Sequence, residues 1–117
     1  MKVVFETRKA QKLFNSDKEI LRKFGQSVAK RIKQRLFELE SADTLQMVSH
    51  LPPPRCHELE GSDEHVFSVD VSENMRMLFH PVAGEFALKA DGGLDLSSVK
   101  KVCIREVCDT HEGKVRR

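Results

Sequence analysis

Residues 55–80, RCHELEGSDEHVFSVDVSENMRMLFH, decide the fold, because two runs within them together predict a β-hairpin. In 65–71 apolar and polar residues alternate, which is the period of a half-buried strand. The run 75–80 repeats the alternation and places Arg76 on the face opposite the two methionines. Residues 72–74, SerGluAsn, favour a turn between the two strands.

A third strand is predicted just before the hairpin, at 55–60, with Arg55 and His57 on one face. The three prolines at 52–54 lack backbone donors and favour an extended course, so they lead into this strand instead of continuing a helix. We therefore predict a three-stranded meander that brings His57 and Arg76 onto one sheet.

The flanking segments predict an α+β fold, in which an N-terminal strand and a helical hairpin pack on a mostly antiparallel sheet of four to five strands. In chain order, strands are expected at 1–6, 55–60, 65–71, 75–80 and 102–109, and helices at 7–15 and from about 17 to 41. The length indicates one domain over 1–117. Its end, 110–117, is interpreted as a polar, partly disordered tail.

The longest predicted helix carries most of the basic residues. Ser16 and Glu19 form a capping box at its start. Its apolar stripe continues past Gly25, a residue that costs about 1 kcal/mol inside a helix relative to alanine, and we expect one continuous helix. The opposite, exposed face is expected to carry six basic residues: Arg22, Lys23, Lys30, Arg31, Lys33 and Arg35.

The net charge of +2 conceals a strongly basic front third. Residues 1–35 hold 11 Lys/Arg and 3 Asp/Glu, a balance of +8, whereas residues 36–117 hold 9 and 15, a balance of −6, and the two sum to +2. A basic patch on a small domain is typical of proteins that bind nucleic acid. The commoner alternative is an exposed helix face that only keeps the protein soluble.

Composition argues against a membrane-spanning or a disulfide-stabilised protein. No apolar run approaches the roughly 18–20 residues of a membrane span, and the N-terminus lacks a secretory signal. The three cysteines, Cys56, Cys103 and Cys108, are sparse and odd in number, so we expect a cytoplasmic protein. A zinc site at Cys103 and Cys108 is not expected, because residues five apart on a regular strand face opposite sides.

The order of these segments resembles the RelE/ParE superfamily of toxins, and within it the HigB-like killer toxins of bacterial toxin–antitoxin pairs. The resemblance lies in RCHELEG at 55–61, FSVDVSENMRMLF at 67–79 and CDTHEG at 108–113, which follow a basic helical hairpin. It implies a ribosome-dependent mRNA endonuclease that uses no metal or cofactor and inhibits translation. It also implies an antitoxin partner with a helix-turn-helix domain.

The resemblance places the catalytic positions of the family on His57, Arg76, Asp109 and His111. Binding of RNA or the ribosome is assigned to five basic residues: Arg22, Lys23, Lys30, Lys33 and Arg55. The sequence departs from the family pattern at three positions, where Glu60 replaces a lysine, Met75 an aromatic residue and Thr110 a tyrosine.

The predicted chemistry can also be argued from the residue types. Cleavage of RNA without a metal needs a base for the 2′-hydroxyl, an acid for the leaving 5′-oxygen and a cation for the phosphate. Histidines can divide the proton transfers near neutral pH, so we assign these to His57 and His111. Arg76 would then hold the phosphate and Asp109 would orient a neighbour. The alternative roles are a half-exposed structural histidine and a surface ion pair.

Three functions agree with the sequence. The first is the RNA endonuclease, and the second is a ParE-like toxin that binds a protein target such as gyrase. The third is a nucleic-acid-binding module in which the basic helices act alone. The combination of His57, Arg76 and His111 favours the first.

Overall fold

The structure is a computed structural model that describes residues 1–61 and 65–109. In those ranges it has the following elements in chain order: β1 (Lys2–Phe5), α1 (Arg8–Phe14), α2 (Asp17–Phe24), α3 (Gln26–Ser41), a 3₁₀ turn (Leu45–Met47), β2 (His57–Glu58), β3 (Phe67–Asp70), β4 (Met75–Pro81), a second 3₁₀ turn (Leu96–Ser98) and β5 (Lys101–Asp109). The predicted tail at 110–117, which includes His111, lies outside the described residues.

The strands form one sheet in the order β1-β5-β4-β3-β2. Neighbouring strands from β2 to β5 pair antiparallel, whereas β1 pairs with β5 in parallel. The predicted hairpin is confirmed, with Phe67 opposite Phe79 and Asp70 opposite Arg76. The predicted α+β fold class is confirmed as well, because the helices pack on a mostly antiparallel sheet.

The helices cover one face of the sheet, which we call the inner face, and the hydrophobic core lies between the two layers. Phe14, Ile20 and Ile32 of the helices are buried in one cluster with Phe79 and Ile104 of the strands. Burying a large apolar side chain contributes about 1.5–3 kcal/mol, so these contacts fix the helices to the inner face. In the described part of the chain, no helix is long and apolar enough to cross a membrane.

The prediction of one continuous helix over 17–41 was wrong. Gly25 separates α2 from α3 with φ 84° and ψ 166°, a conformation that is essentially restricted to glycine. Its N–H donates to the carbonyl oxygen of Leu21 at 2.9 Å and so ends α2. The apolar stripe is interrupted at the same place, since Leu21 is 49% exposed. Ser16 caps α2 as predicted, because its hydroxyl accepts from the Glu19 amide at 3.2 Å.

Arg35 was also wrongly predicted, because its side chain is buried and does not lie on the exposed basic face of the helix. It is only 8% exposed. Its Nε donates to the main-chain oxygen of Asp70 at 2.5 Å, and its Nη1 lies 3.1 Å from both carboxylate oxygens of Glu38. A guanidinium is tolerated inside a protein when acceptors surround it. Arg35 therefore ties α3 to the end of β3.

β5 carries one extra residue relative to β4, a bulge at 104–106. An extra residue reverses the alternation of side chains beyond it. Cys103, opposite His80, and Cys108, opposite Arg76, therefore share one face, contrary to the prediction that they face opposite sides. Their partners are four residue steps apart on β4, which is roughly 13 Å, so the two thiols are still too far apart to bind one metal ion.

Candidate active site

The face of the sheet turned away from the helices, which we call the outer face, brings together three of the predicted site residues. The register aligns His57 of β2 with Ser68 and then Leu78, and it aligns Asp70 with Arg76 in the next row. Arg76 lies two strands away from His57 and two residues along β4 from the residue level with it, which puts the two Cα atoms on the order of 12 Å apart. Ser68 and Leu78 are 2% and 0% exposed. The two residues that separate His57 from Arg76 are therefore buried beneath the site.

Asp70 holds the parts of the site together. Its carboxylate accepts from Nε and Nη2 of Arg55 at 2.8 and 3.0 Å, and it lies 2.9 Å from Nε of Arg76. Its main-chain oxygen accepts from Arg35, and its amide donates to the carbonyl oxygen of Pro54 at 2.8 Å. One residue of β3 thus joins three arginines, which come from α3, from the loop before β2 and from β4.

Arg55 lies in the loop that enters β2, and its backbone is left-handed, with φ 55°. This conformation costs about 1–2 kcal/mol in a residue with a side chain. The Arg55 amide donates to the carbonyl oxygen of Leu51 at 3.0 Å, and the ion pair with Asp70 holds the other end of the residue. The hydrogen bond to Asp70 raises the pKa of Arg55, although partial burial acts in the opposite direction. With 40% of its side chain exposed, Arg55 offers a permanent positive charge to a ligand.

His57 is half-buried, and its ring is fixed by a main-chain contact. Its Nδ1 lies 3.0 Å from the carbonyl oxygen of Arg55. Because a carbonyl oxygen can only accept a hydrogen bond, Nδ1 carries the proton, and in the neutral ring Nε2 then bears the lone pair. This is the tautomer that a general base on this face of the sheet needs.

Arg76 closes the β3–β4 turn. Its Nη1 donates to the carbonyl oxygens of Ser72, Glu73 and Met75 at 2.8, 3.2 and 3.0 Å. Its Nε pairs with Asp70 at 2.9 Å, and its side chain is 18% exposed. Arg76 is thus beside the predicted site, but its guanidinium is largely engaged in holding the hairpin, and Arg55 is the more exposed of the two arginines.

The C-terminal part of the predicted site is only partly within the described residues. The register of β5 places Asp109 opposite Met75, on the inner-face side of the alternation, and places Cys108 opposite Arg76. His111 lies beyond the last described residue. The structure therefore brings together His57, Arg55 and Arg76, and it separates Asp109 from Arg76 in register.

A second charged group on the outer face was not predicted. Glu6, directly after β1, has a carboxylate oxygen 3.3 Å from Nε of Arg105 and 3.7 Å from Nε2 of His80. Nδ1 of His80 lies 2.9 Å from the carbonyl oxygen of Pro81. The alternation in β4 did place His80 on the same face as Arg76, but only the pairing of β1 with β5 brings Glu6 to it.

Four of the five predicted RNA-binding residues lie on the other side of the molecule. Arg22, Lys23, Lys30 and Lys33 are exposed on α2 and α3, the helices that cover the inner face. Arg22 and Lys33 have acidic neighbours on these helices at 3.7 and 3.1 Å, contacts that contribute little at an exposed surface. The sheet therefore separates this basic helical surface from the outer face, and of the five only Arg55 lies at the candidate site.

Among the residues that the structure describes, no three His, Cys, Asp or Glu side chains come together in a way that would hold a metal ion. No protein-family model matches the chain. No curated protein and no solved structure matches it either. What can be inferred about its function therefore comes from its own residues and their geometry.

Proposed function

We propose that this protein is an RNA endonuclease that cuts mRNA on the ribosome, and that it is the toxin of a toxin–antitoxin pair. The observation that carries the proposal is the position of His57, whose ring is oriented by Arg55 on a sheet face that also holds the guanidinium groups of Arg55 and Arg76. A fixed imidazole and nearby guanidinium groups supply two of the three groups that metal-independent RNA cleavage requires, the base and the cation for the phosphate. The sequence resemblance at 55–61 and 67–79 supports the same activity.

In the proposed reaction, Nε2 of His57 takes the proton of the 2′-hydroxyl. The 2′-oxygen attacks the adjacent phosphorus, the bond from phosphorus to the 5′-oxygen breaks, and the 5′-oxygen receives a proton from an acid, which would be His111 if His57 is the base. The products are a 2′,3′-cyclic phosphate and a 5′-hydroxyl. Arg55, with Arg76 behind Asp70, would neutralise the negative charge that accumulates on the phosphate oxygens in the transition state.

The exposed lysines and arginines of α2 and α3 would supply binding energy on the opposite side of the molecule. Attraction between such a surface and ribosomal RNA raises the rate of encounter and depends strongly on salt. In this proposal the partners are the ribosome with its mRNA and an antitoxin that carries a helix-turn-helix domain, all in the cytoplasm. The protein would meet ribosomal RNA with its helices and mRNA with the outer face.

The proposal can be tested by inducing the protein in bacteria and mapping cuts on a translated reporter mRNA by primer extension. The wild type should arrest growth and produce cuts that follow the reading frame. His57→Ala should reduce cutting by about 10²–10⁴-fold, the usual contribution of a general base. His50→Ala is the matched control, because the side chain of His50 is exposed and the residue belongs to no strand, and it should cut like the wild type.

Two outcomes would contradict the proposal. Undiminished cutting by His57→Ala would remove His57 from the reaction. Growth arrest without any cuts in mRNA would exclude the nuclease and favour a toxin that acts by binding a protein target.

A further inference from the structure

Arg55 serves the candidate site in two ways at once. Its carbonyl oxygen accepts from His57 at 3.0 Å, and its guanidinium is the exposed cation of the outer face. Both functions depend on one left-handed residue. A strained residue persists only where its surroundings fix it, so the contacts that hold Arg55 determine the geometry of His57 as well.

The contacts that fix Arg55 converge on Asp70. The carboxylate of Asp70 binds Nε and Nη2 of Arg55, and the amide of Asp70 donates to the carbonyl oxygen of Pro54, the residue just before Arg55. Asp70 is itself held from the other side by Arg76 at 2.9 Å and by Arg35 at 2.5 Å. The side chain of Asp70 therefore holds the guanidinium of Arg55, and its backbone holds the residue just before Arg55.

The ion pair leaves part of the Arg55 guanidinium for a ligand. The two bonds to Asp70 use two of the five N–H donors that an arginine carries. The end of the guanidinium, formed by Nη1 and the second N–H of Nη2, presents a second fork, which matches two oxygens of a phosphate. Since 40% of the Arg55 side chain is exposed, a phosphate can approach that fork while Asp70 keeps the first fork.

We infer that Asp70 is a positioning residue, which orients Arg55 so that its second fork receives a phosphate group of RNA and its carbonyl oxygen holds His57. This inference rests on the proposed function and adds to it a residue that does not touch the substrate. The alternative is that Asp70 only stabilises the fold through its ion pairs. The two differ in one respect: a positioning residue loses its effect on phosphate binding once Arg55 is absent.

The test is a double-mutant cycle with inorganic phosphate as the probe, read from the shift of the His57 ring proton in NMR titrations of the full chain. Arg55→Gln should weaken phosphate binding by at least about 10-fold, the lower end of the effect of losing one charge-assisted hydrogen bond, and the indirect change Asp70→Asn should weaken it by about 5- to 10-fold. Arg55→Gln with Asp70→Asn should bind no more weakly than Arg55→Gln alone. Asp17→Asn is the matched control, because it removes one carboxylate from an exposed ion pair with Lys33, and its affinity should equal that of the wild type.

Asp70→Glu keeps the charge and is the second variant to measure if Asp70→Asn does not fold. Its carboxylate is displaced by one methylene, so phosphate binding should still weaken, whereas the thermal unfolding midpoint should stay closer to that of the wild type. Additive losses in the cycle would overturn the inference. Unchanged or tighter phosphate binding in both Asp70 variants would overturn it too, because Asp70 would then not help the site to bind phosphate or would compete with the ligand.

The readout also separates this inference from the proposed function. A protein that binds phosphate with a non-additive cycle but never cuts RNA would disprove the nuclease and leave the role of Asp70 intact. A protein that cuts RNA but gives an additive cycle would support the nuclease and disprove the role of Asp70.

Discussion

The carboxylate of Asp70 and the guanidinium of Arg55 form a two-point ion pair across fifteen residues of chain, with Nε to Oδ2 at 2.8 Å and Nη2 to Oδ1 at 3.0 Å. The pair fastens the loop before β2 to the end of β3, and Arg35 and Arg76 reach the same aspartate. The geometry of the outer face is therefore set by a polar network that includes Arg35 from the helical side, and the apolar core fixes the sheet itself.

Replacing Gly25 should destabilise the protein. Gly25→Ala should lower the free energy of unfolding by about 1–3 kcal/mol, because φ 84° with ψ 166° is unfavourable for any other residue. The added Cβ would meet no atom within 4 Å, so the loss would come from the backbone alone. Urea denaturation measures it, with Gln26→Ala in the first turn of α3 as the control. A gain of about 1 kcal/mol, as expected inside a continuous helix, would contradict the break between α2 and α3.

Removing the buried guanidinium of Arg35 should cost more than removing an exposed one. Arg35→Met keeps much of the apolar stem but removes the donor to the main-chain oxygen of Asp70 and leaves the carboxylate of Glu38 with the donor that Gln34 supplies at 3.1 Å. We expect a loss of about 2–3 kcal/mol in the free energy of unfolding. Arg31→Met, on the exposed side of the same helix, should change it by no more than about 0.5 kcal/mol. Equal effects of the two substitutions in urea melts would place Arg35 at the surface.

The stability of the protein should fall above pH 9 because of Cys56. Burial raises the pKa of the Cys56 thiol from 9.0 to about 12. The unfolded chain then loses its proton first, so this contribution to stability is complete below pH 9 and is lost progressively between pH 9 and about 12. From pH 8 to pH 10, the wild type should lose about 1.4 kcal/mol more than Cys56→Ala. Melts at pH 6 give the packing cost of the substitution alone, and identical pH dependence in the two proteins would contradict the assignment.

Reversing charge on the basic helical surface should weaken binding to the ribosome. The variant Arg22→Glu, Lys30→Glu, Lys33→Glu should bind far more weakly at physiological salt. The slope of log affinity against log salt should become shallower by about 2, since up to three phosphate contacts of roughly 0.7 each are lost. Sedimentation with ribosomes over a salt series measures both quantities.

The control for this prediction reverses three exposed lysines outside the helices, Lys2, Lys89 and Lys100, and so changes the net charge by the same amount. It should retain most of the affinity. If both triple variants lose affinity equally, binding depends on overall charge and the helical surface has no special role.

Sequence patterns captured the local elements of this fold well. The alternation in 65–80 predicted the hairpin and its faces, and Ser16 with Glu19 predicted the start of α2. Patterns of this kind depend on contacts between near neighbours in the chain, such as the hydrogen bond from the Glu19 amide to the Ser16 hydroxyl. They therefore carry information that a single sequence can supply.

The errors concern features that only tertiary structure decides. Gly25 was placed inside a helix because its cost there is small beside the apolar stripe, yet the chain uses its freedom to turn. Arg35 has the helical spacing of an exposed basic residue but meets Asp70, which is 35 residues away. The bulge at 104–106 has no signature in composition. For the site, the sequence pointed to His57, Arg55 and Arg76, but it gave no sign that Asp70 would join the two arginines.

The last strand of the sheet to be synthesised is β5, and in space it lies between β1 and β4. In the described part of the chain β1 pairs with β5 alone, so a nascent chain that has emerged only to residue 100 holds an unpaired first strand. Pairing between distant segments forms late and slowly in folding. The sheet is thus completed only when β5 pairs with both neighbours. Until residues 101–109 have been synthesised, β1 can be held only by contacts such as the packing of Phe5 against Phe14 of α1.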